Sequence, residues 1–115
     1  MKKTIAWSRL LNLALIAFFL LGAFMNLFGP ASIAQDFAKW GYPASFRYVT
    51  GGLELVVAGL LSVRRYQMLG IFLGGTVMLS ALLTLIVNGE GLHAAAPAVV
   101  LLAFYLLLKT RSPKR

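Results

Sequence analysis

The chain has 115 residues, 60% of them hydrophobic and 12% charged, with 11 Lys and Arg against 3 Asp and Glu and a net charge of +8. A soluble domain averages about 25% charged residues, so a chain this short and apolar (mean hydropathy +0.84) has too little polar surface for water and is expected in lipid. The absence of cysteine excludes disulfides, a CxxC redox pair, thiolate metal sites and a cysteine nucleophile, and the gathering of basic residues at segment ends points to membrane topology, not to nucleic acid.

The first apolar segment runs from about Leu10 to Phe28 and is stopped by Gly29-Pro30. A basic start, an apolar run and "SIA" before Gln35 also suit a signal peptide. The run of about 19 residues exceeds the 7–15 of a signal h-region, so the segment is expected to persist as a helix. In the link that follows, "SIAQDFAKW" sets Ile33, Phe37 and Trp40 at helical spacing, with Asp36 and Lys39 on another face. Ser32 with Gln35 fits a capping box. A short interfacial helix over about 32–40 is expected, with Trp40 and Tyr42 as anchors at headgroup depth. Further apolar segments cover about 44–63, 66–87 and 92–108, the last entered through "HAAAP". Each of the four is roughly 17–22 residues, enough to cross a hydrocarbon core of about 30 Å at 1.5 Å per residue. None alternates like a strand, and in lipid a segment satisfies its own backbone only as a helix.

Four spans place Lys2, Lys3, Arg9, Arg64, Arg65, Lys109, Arg111, Lys114 and Arg115 on one side, nine of the 11 Lys and Arg. The other side holds Lys39 and Arg47, offset by Asp36 and Glu90. The positive-inside rule then puts both termini in the cytoplasm. The expected fold is all-α: a polytopic integral membrane protein, one domain over 1–115, built as an antiparallel four-transmembrane-helix bundle. Residues 109–115 form a basic cytoplasmic tail.

The run "YVTGGLELVVAGLLSV" contains one carboxylate, Glu54. A charged group at mid-bilayer costs several kcal/mol, so Glu54 is expected to face the interior and to be paired or neutral. Arg47, Thr50, Gly51, Ala58 and Leu61 share its stripe at helical offsets. Gly51 and Ala58 are small enough for another helix to come close. Arg47 sits two turns away, about 10 Å along the axis, from where it snorkels outward or reaches back to Glu54. Gly70 and Gly74 form a GxxxG motif, for packing within the bundle or between protomers of a homo-oligomer. Gly22 and Gly59 are expected to serve packing as well.

Asn26, Asn88, His93 and Arg47 lie towards the outer ends of their segments. With Glu54 they make the candidate ligand-binding set, in a pocket lined by the first, second and fourth spanning helices. The alternative is a satisfied carboxyl that fixes helix register. His93 is the only histidine, so a haem or zinc site within the chain is not expected. There is no Ser/His/Asp set, phosphate loop or acidic pair, and no catalytic residue is nominated.

The stretch "WGYPASFRYVTGGLELVVAGLLSVRR" resembles the DoxX and DoxX-like membrane proteins. Asn26 ends the first helix in the family's manner, and Phe37 to Trp40 make its aromatic outer segment. Gly41-Tyr42-Pro43 makes the G-x-P turn, and Gly51 to Glu54 the G-x-x-E of the second helix. Met78 to Ala81 and Pro97 to Leu101 match later positions. The resemblance implies a four-helix bundle in the bacterial cytoplasmic membrane. Some relatives are tied to quinone-coupled sulfur oxidation or membrane oxidoreductase complexes, and Glu54 falls on the family's glutamate. The leading expectation is an accessory subunit, not itself an enzyme, that binds a quinone or similar lipid-soluble molecule near Glu54. A second is an assembly or chaperone-like membrane protein without a small ligand. The third is a small proton-coupled exporter, disfavoured because such exporters carry their glutamate in the first helix and lack a strong charge bias.

Overall fold

Gly29-Pro30 ends the first helix in the computed structural model, which describes residues 2–110, with side chains from Ala6 onward. The helices are α1 (Lys2–Phe28), α2 (Ala31–Lys39), α3 (Phe46–Ser62), α4 (Gln67–Val87) and α5 (Ala95–Thr110), with a single 3-10 turn, Arg64–Tyr66, before α4. The protein is all-α, and no strand occurs among the described residues. The expected tail beyond Thr110 lies outside them.

α1 begins well before its apolar run because Lys2 to Arg9 contain no Gly or Pro to stop it. α5 begins after His93, later than its apolar run, which opens in turns. Two stretches, Ala6–Phe28 and Arg64–Val87, are long and apolar enough to cross a membrane.

α2 appears where the helical spacing predicts it, but its start differs. The residue before its first turn is Pro30, extended and with no side-chain cap, and Ser32 already lies inside the helix. The Pro30 carbonyl accepts the Ile33 N–H at 3.1 Å, so the helix restarts immediately after the Gly-Pro break and the Ser32–Gln35 capping box is not used.

The long helices close a ring, α1 on α3, α3 on α4, α4 on α5 and α5 back on α1, and α2 sits on α3. Each contributes one buried stripe. On α3 it is Arg47, Gly51, Glu54, Ala58 and Leu61, with Val57 beside them. On α4 it is Gln67, Gly70, Ile71, Gly74 and Met78, and on α5 Pro97, Val100, Phe104 and Leu107. Leu15 and Phe19 of α1 complete the core. The GxxxG pair is spent inside the chain. A Cβ on Gly70 would lie 3.0 Å from the Leu61 backbone nitrogen, and one on Gly74 would lie 2.6 Å from Phe104 Cζ. Phe104 in turn meets Phe19 at 5.8 Å between centroids. Gly59 departs from expectation: it is exposed, and a Cβ there would meet nothing within 4 Å, because its face of α3 has no neighbouring helix. Asn12 Nδ2 donates to the Leu61 carbonyl at 2.9 Å, closing the last turn of α3. The outward faces are apolar, with Leu13, Leu21, Phe72 and Val99 all exposed.

Candidate functional site

Glu54 is 5% exposed and points at α1. A Cβ on Gly22 would lie 2.7 Å from Glu54 Oε2 and 3.0 Å from its Cδ, so the carboxyl occupies space that only glycine leaves free. One turn along the same face, Asn26 Nδ2 donates to Glu54 Oε1 at 2.7 Å. The spacing of Gly22 and Asn26, one helical turn, thus makes a seat and a donor for one carboxyl group.

Arg47 takes neither route open to it in the sequence. It is buried, and its guanidinium donates to backbone carbonyls at the end of α1: Asn26 at 2.6 Å, Gly29 at 2.8 Å, Met25 at 3.1 Å and Pro30 at 3.2 Å. Asn26 and Gly29 offer carbonyls left open where α1 ends, while Met25 and Pro30 also accept the Gly29 and Ile33 N–H groups at 2.8 and 3.1 Å, and the guanidinium sits at the negative pole of the helix dipole. Arg47 closes α1 and tethers it to α3; among the described residues no cation pairs with Glu54.

Above Glu54 a cleft of about 510 Å³ opens between α1, α2, α3 and α4. The sequence expectation named the first, second and fourth spanning helices; the third, α4, takes the place of the last, α5. The reason is packing. Phe104 fills the notch at Gly74, which holds α5 against the far side of α4 and α1. Met25, Leu53, Leu73, Val77 and Leu85 supply apolar walls. Phe37, Trp40, Tyr42 and Phe46 form a roof in which Tyr42 stacks on Phe46, with centroids 5.0 Å apart and planes 8° from parallel. The Tyr42 and Thr84 hydroxyls hydrogen-bond at 2.7 Å, joining the roof to α4. Gly41, at φ 93°, makes the turn between Trp40 and Tyr42.

Of the sequence-nominated ligand residues, Glu54 and Asn26 line this cleft. Asn88 borders a smaller groove, and its Nδ2 donates to the Thr84 carbonyl at 2.8 Å. His93 is exposed, with Nδ1 3.3 Å from Glu90 Oε1. Gly22, Thr50, Phe37 and Thr84 belong to the cleft but were not nominated. Gly22 and Asn26 share a face at helical spacing, the one signal that linked them.

The roof has a second fastening. Glu90 Oε2 accepts from Trp40 Nε1 at 2.9 Å and pairs with Lys39 Nζ at 3.1 Å. The Trp40 hydrogen bond first, then Lys39, holds the Glu90 carboxyl below its usual range. A carboxyl lowered in this way contributes its tie above the ordinary carboxylate range, and loses it as pH falls through its lowered value. In a Trp7→Phe background, Trp40 fluorescence should hold steady down to the ordinary carboxylate range, about pH 4, and shift only below it. Glu90→Gln should remove that shift; a shift that persists in Glu90→Gln would assign it to another group.

The cleft therefore offers a carboxyl–amide pair at its floor, aromatic rings at its roof and apolar walls between. Among the described residues no three His, Asp or Glu side chains converge, so what the site offers a guest is hydrogen bonds and apolar contact. A comparison with curated proteins and one with solved structures each returned no match. The family model of the DoxX-like family matches residues 10–107, which takes in every residue of the cleft, and the chain belongs to the DoxX-like family.

Proposed function

We propose that the chain is a four-span protein of the bacterial cytoplasmic membrane, both termini cytoplasmic, that binds a quinone or similar lipid-soluble molecule at Glu54 and Asn26. It acts as a non-catalytic partner of a membrane oxidoreductase. The membrane reading is supported by the two long apolar helices, the apolar outward faces and the one-sided basic charge. The long axis of 46 Å suits a bilayer of about 40–45 Å with its headgroup regions.

The observation that carries the ligand is the Glu54–Asn26 pair at the floor of an apolar cleft. A hydrogen-bonding pair under apolar walls and aromatic rings fits a molecule with a polar-edged ring and an apolar body. The assembly-protein reading would use the GxxxG face and the short outer helix as contact surfaces, and it loses the first, since Gly70 and Gly74 are used within the chain.

The test is titration of a short-chain quinone into the purified protein in nanodiscs. Saturable binding should weaken at least about tenfold, or 1.4 kcal/mol, in Glu54→Gln with the helical signal unchanged. Equal binding by the variant sinks the assignment of Glu54. No binding by either protein, with a partner protein copurifying, favours the assembly reading.

A further inference from the structure

Thr76, Ser80 and Thr84 of α4 all line the cleft, as does Thr50 one turn before Glu54 on α3. Residues four apart share a helix face, so the α4 hydroxyls form one line about 12 Å long. It runs from the level of Glu54 to the roof. At its inner end Thr76 Oγ1 donates to the Phe72 carbonyl at 2.9 Å. At its outer end Thr84 meets Tyr42 at 2.7 Å. Ser80, between them, is exposed. The charged groups at this end are Asp36 on the cleft wall and the Glu90, Lys39 and His93 cluster beyond Trp40. The Arg47 guanidinium is committed to α1 carbonyls.

The other direction is apolar next to Glu54, and polar groups return only at its far end, where Asn12 meets the Leu61 carbonyl and Gln67 is buried. Past Glu54 the interior consists of Val57, Ala58, Leu61, Leu15 and Phe19, each 3% exposed or less. A buried carboxyl with one hydrogen-bonding route out and an apolar wall behind it is placed for exchange with one aqueous phase.

We propose that the cleft is a one-sided aqueous vestibule, entered at the α2 end past its aromatic roof, through which water reaches the Glu54 carboxyl and exchanges protons with it. The carboxyl passes its proton to water, giving carboxylate and hydronium, and recovers it by the reverse step. Hydroxyls of Thr76 and Ser80 on α4, with Thr50 facing them from α3, supply partners for a file of water between apolar walls. The proposal rests on the membrane reading and on the same cleft, but not on a quinone being the guest.

The natural absence of cysteine makes the test direct. Single variants Ser80→Cys, Thr76→Cys, Leu79→Cys and Ala58→Cys are placed in nanodiscs and treated with a charged, water-soluble methanethiosulfonate. Leu79 adjoins Ser80 and is exposed outside the cleft, and Ala58 lies beneath the floor. Only a thiolate in water reacts, so Ser80→Cys and Thr76→Cys should label about tenfold faster than Leu79→Cys or more, with Ala58→Cys slow. Cleft variants no faster than Leu79→Cys overturn the vestibule, and Ala58→Cys as fast as Ser80→Cys overturns its one-sidedness. Fast cleft labelling without quinone binding keeps the vestibule and removes the quinone. Quinone binding with slow labelling does the reverse.

Discussion

Arg47→Met should lower the stability of the folded protein by at least about 3 kcal/mol, more than any exposed substitution in the chain. The side chain is buried and donates to four backbone carbonyls. A hydrogen bond to a charged group contributes roughly 1.5–3 kcal/mol, and the bonds of one guanidinium add less than linearly. Methionine fills most of the volume but leaves the carbonyls of Asn26 and Gly29 without their donor, those of Met25 and Pro30 with only a backbone N–H, and the helix pole without its cation. Lysine keeps the charge and loses the fork, so Arg47→Lys should recover only part of the loss. Unfolding in bicelles followed by circular dichroism gives the order wild type, Arg47→Lys, Arg47→Met. A methionine variant as stable as wild type would mean that those carbonyls find other donors. The same variant separates architecture from ligand contact, because Arg47 lies outside the residues that line the cleft.

The sequence showed the segments well because each is a long apolar run bounded by Gly, Pro or charge, and length alone names a helix in such a run. It also showed the stripe on which Glu54 lies, since Arg47, Gly51, Ala58 and Leu61 sit at helical offsets from it and all are buried. What it did not show was which helix faces which. The exchange of α5 for α4 along the cleft turns on the fit of Phe104 into the notch at Gly74, a contact between residues thirty apart that no period encodes. Arg47 was legible as a cation on the Glu54 stripe, free to turn outward or inward. Its target was not, because the carbonyls it binds come together only where α1 ends at Phe28. Asn88 and His93 were placed at the mouth by their nearness to segment ends, and nearness along the chain says nothing of the direction a side chain takes.

Gly22→Ala should weaken ligand binding at the cleft by about tenfold or more, or 1.4 kcal/mol, while the protein still folds. The added methyl carbon would stand 2.7 Å from Glu54 Oε2 and 3.0 Å from Cδ, closer than real contacts allow, so the carboxyl must turn away. Turning it breaks the 2.7 Å bond from Asn26 and moves the group at the floor into the space a guest would take. The crowding costs roughly 1–3 kcal/mol, as overpacking in a tight interior does, offset in part by the better helix propensity of alanine. Gly59→Ala is the matched control. It makes the same change in a helix interior where nothing lies within 4 Å, so it should be neutral or stabilising by up to about 1 kcal/mol and leave binding unchanged. Quinone titration and thermal unfolding of both variants in one nanodisc preparation decide the matter. Loss of binding in Gly22→Ala alone ties the ligand to the position of the Glu54 carboxyl. A fall in stability with binding intact assigns that carboxyl to the joining of α1 and α3, and the guest, if any, to the aromatic end of the cleft.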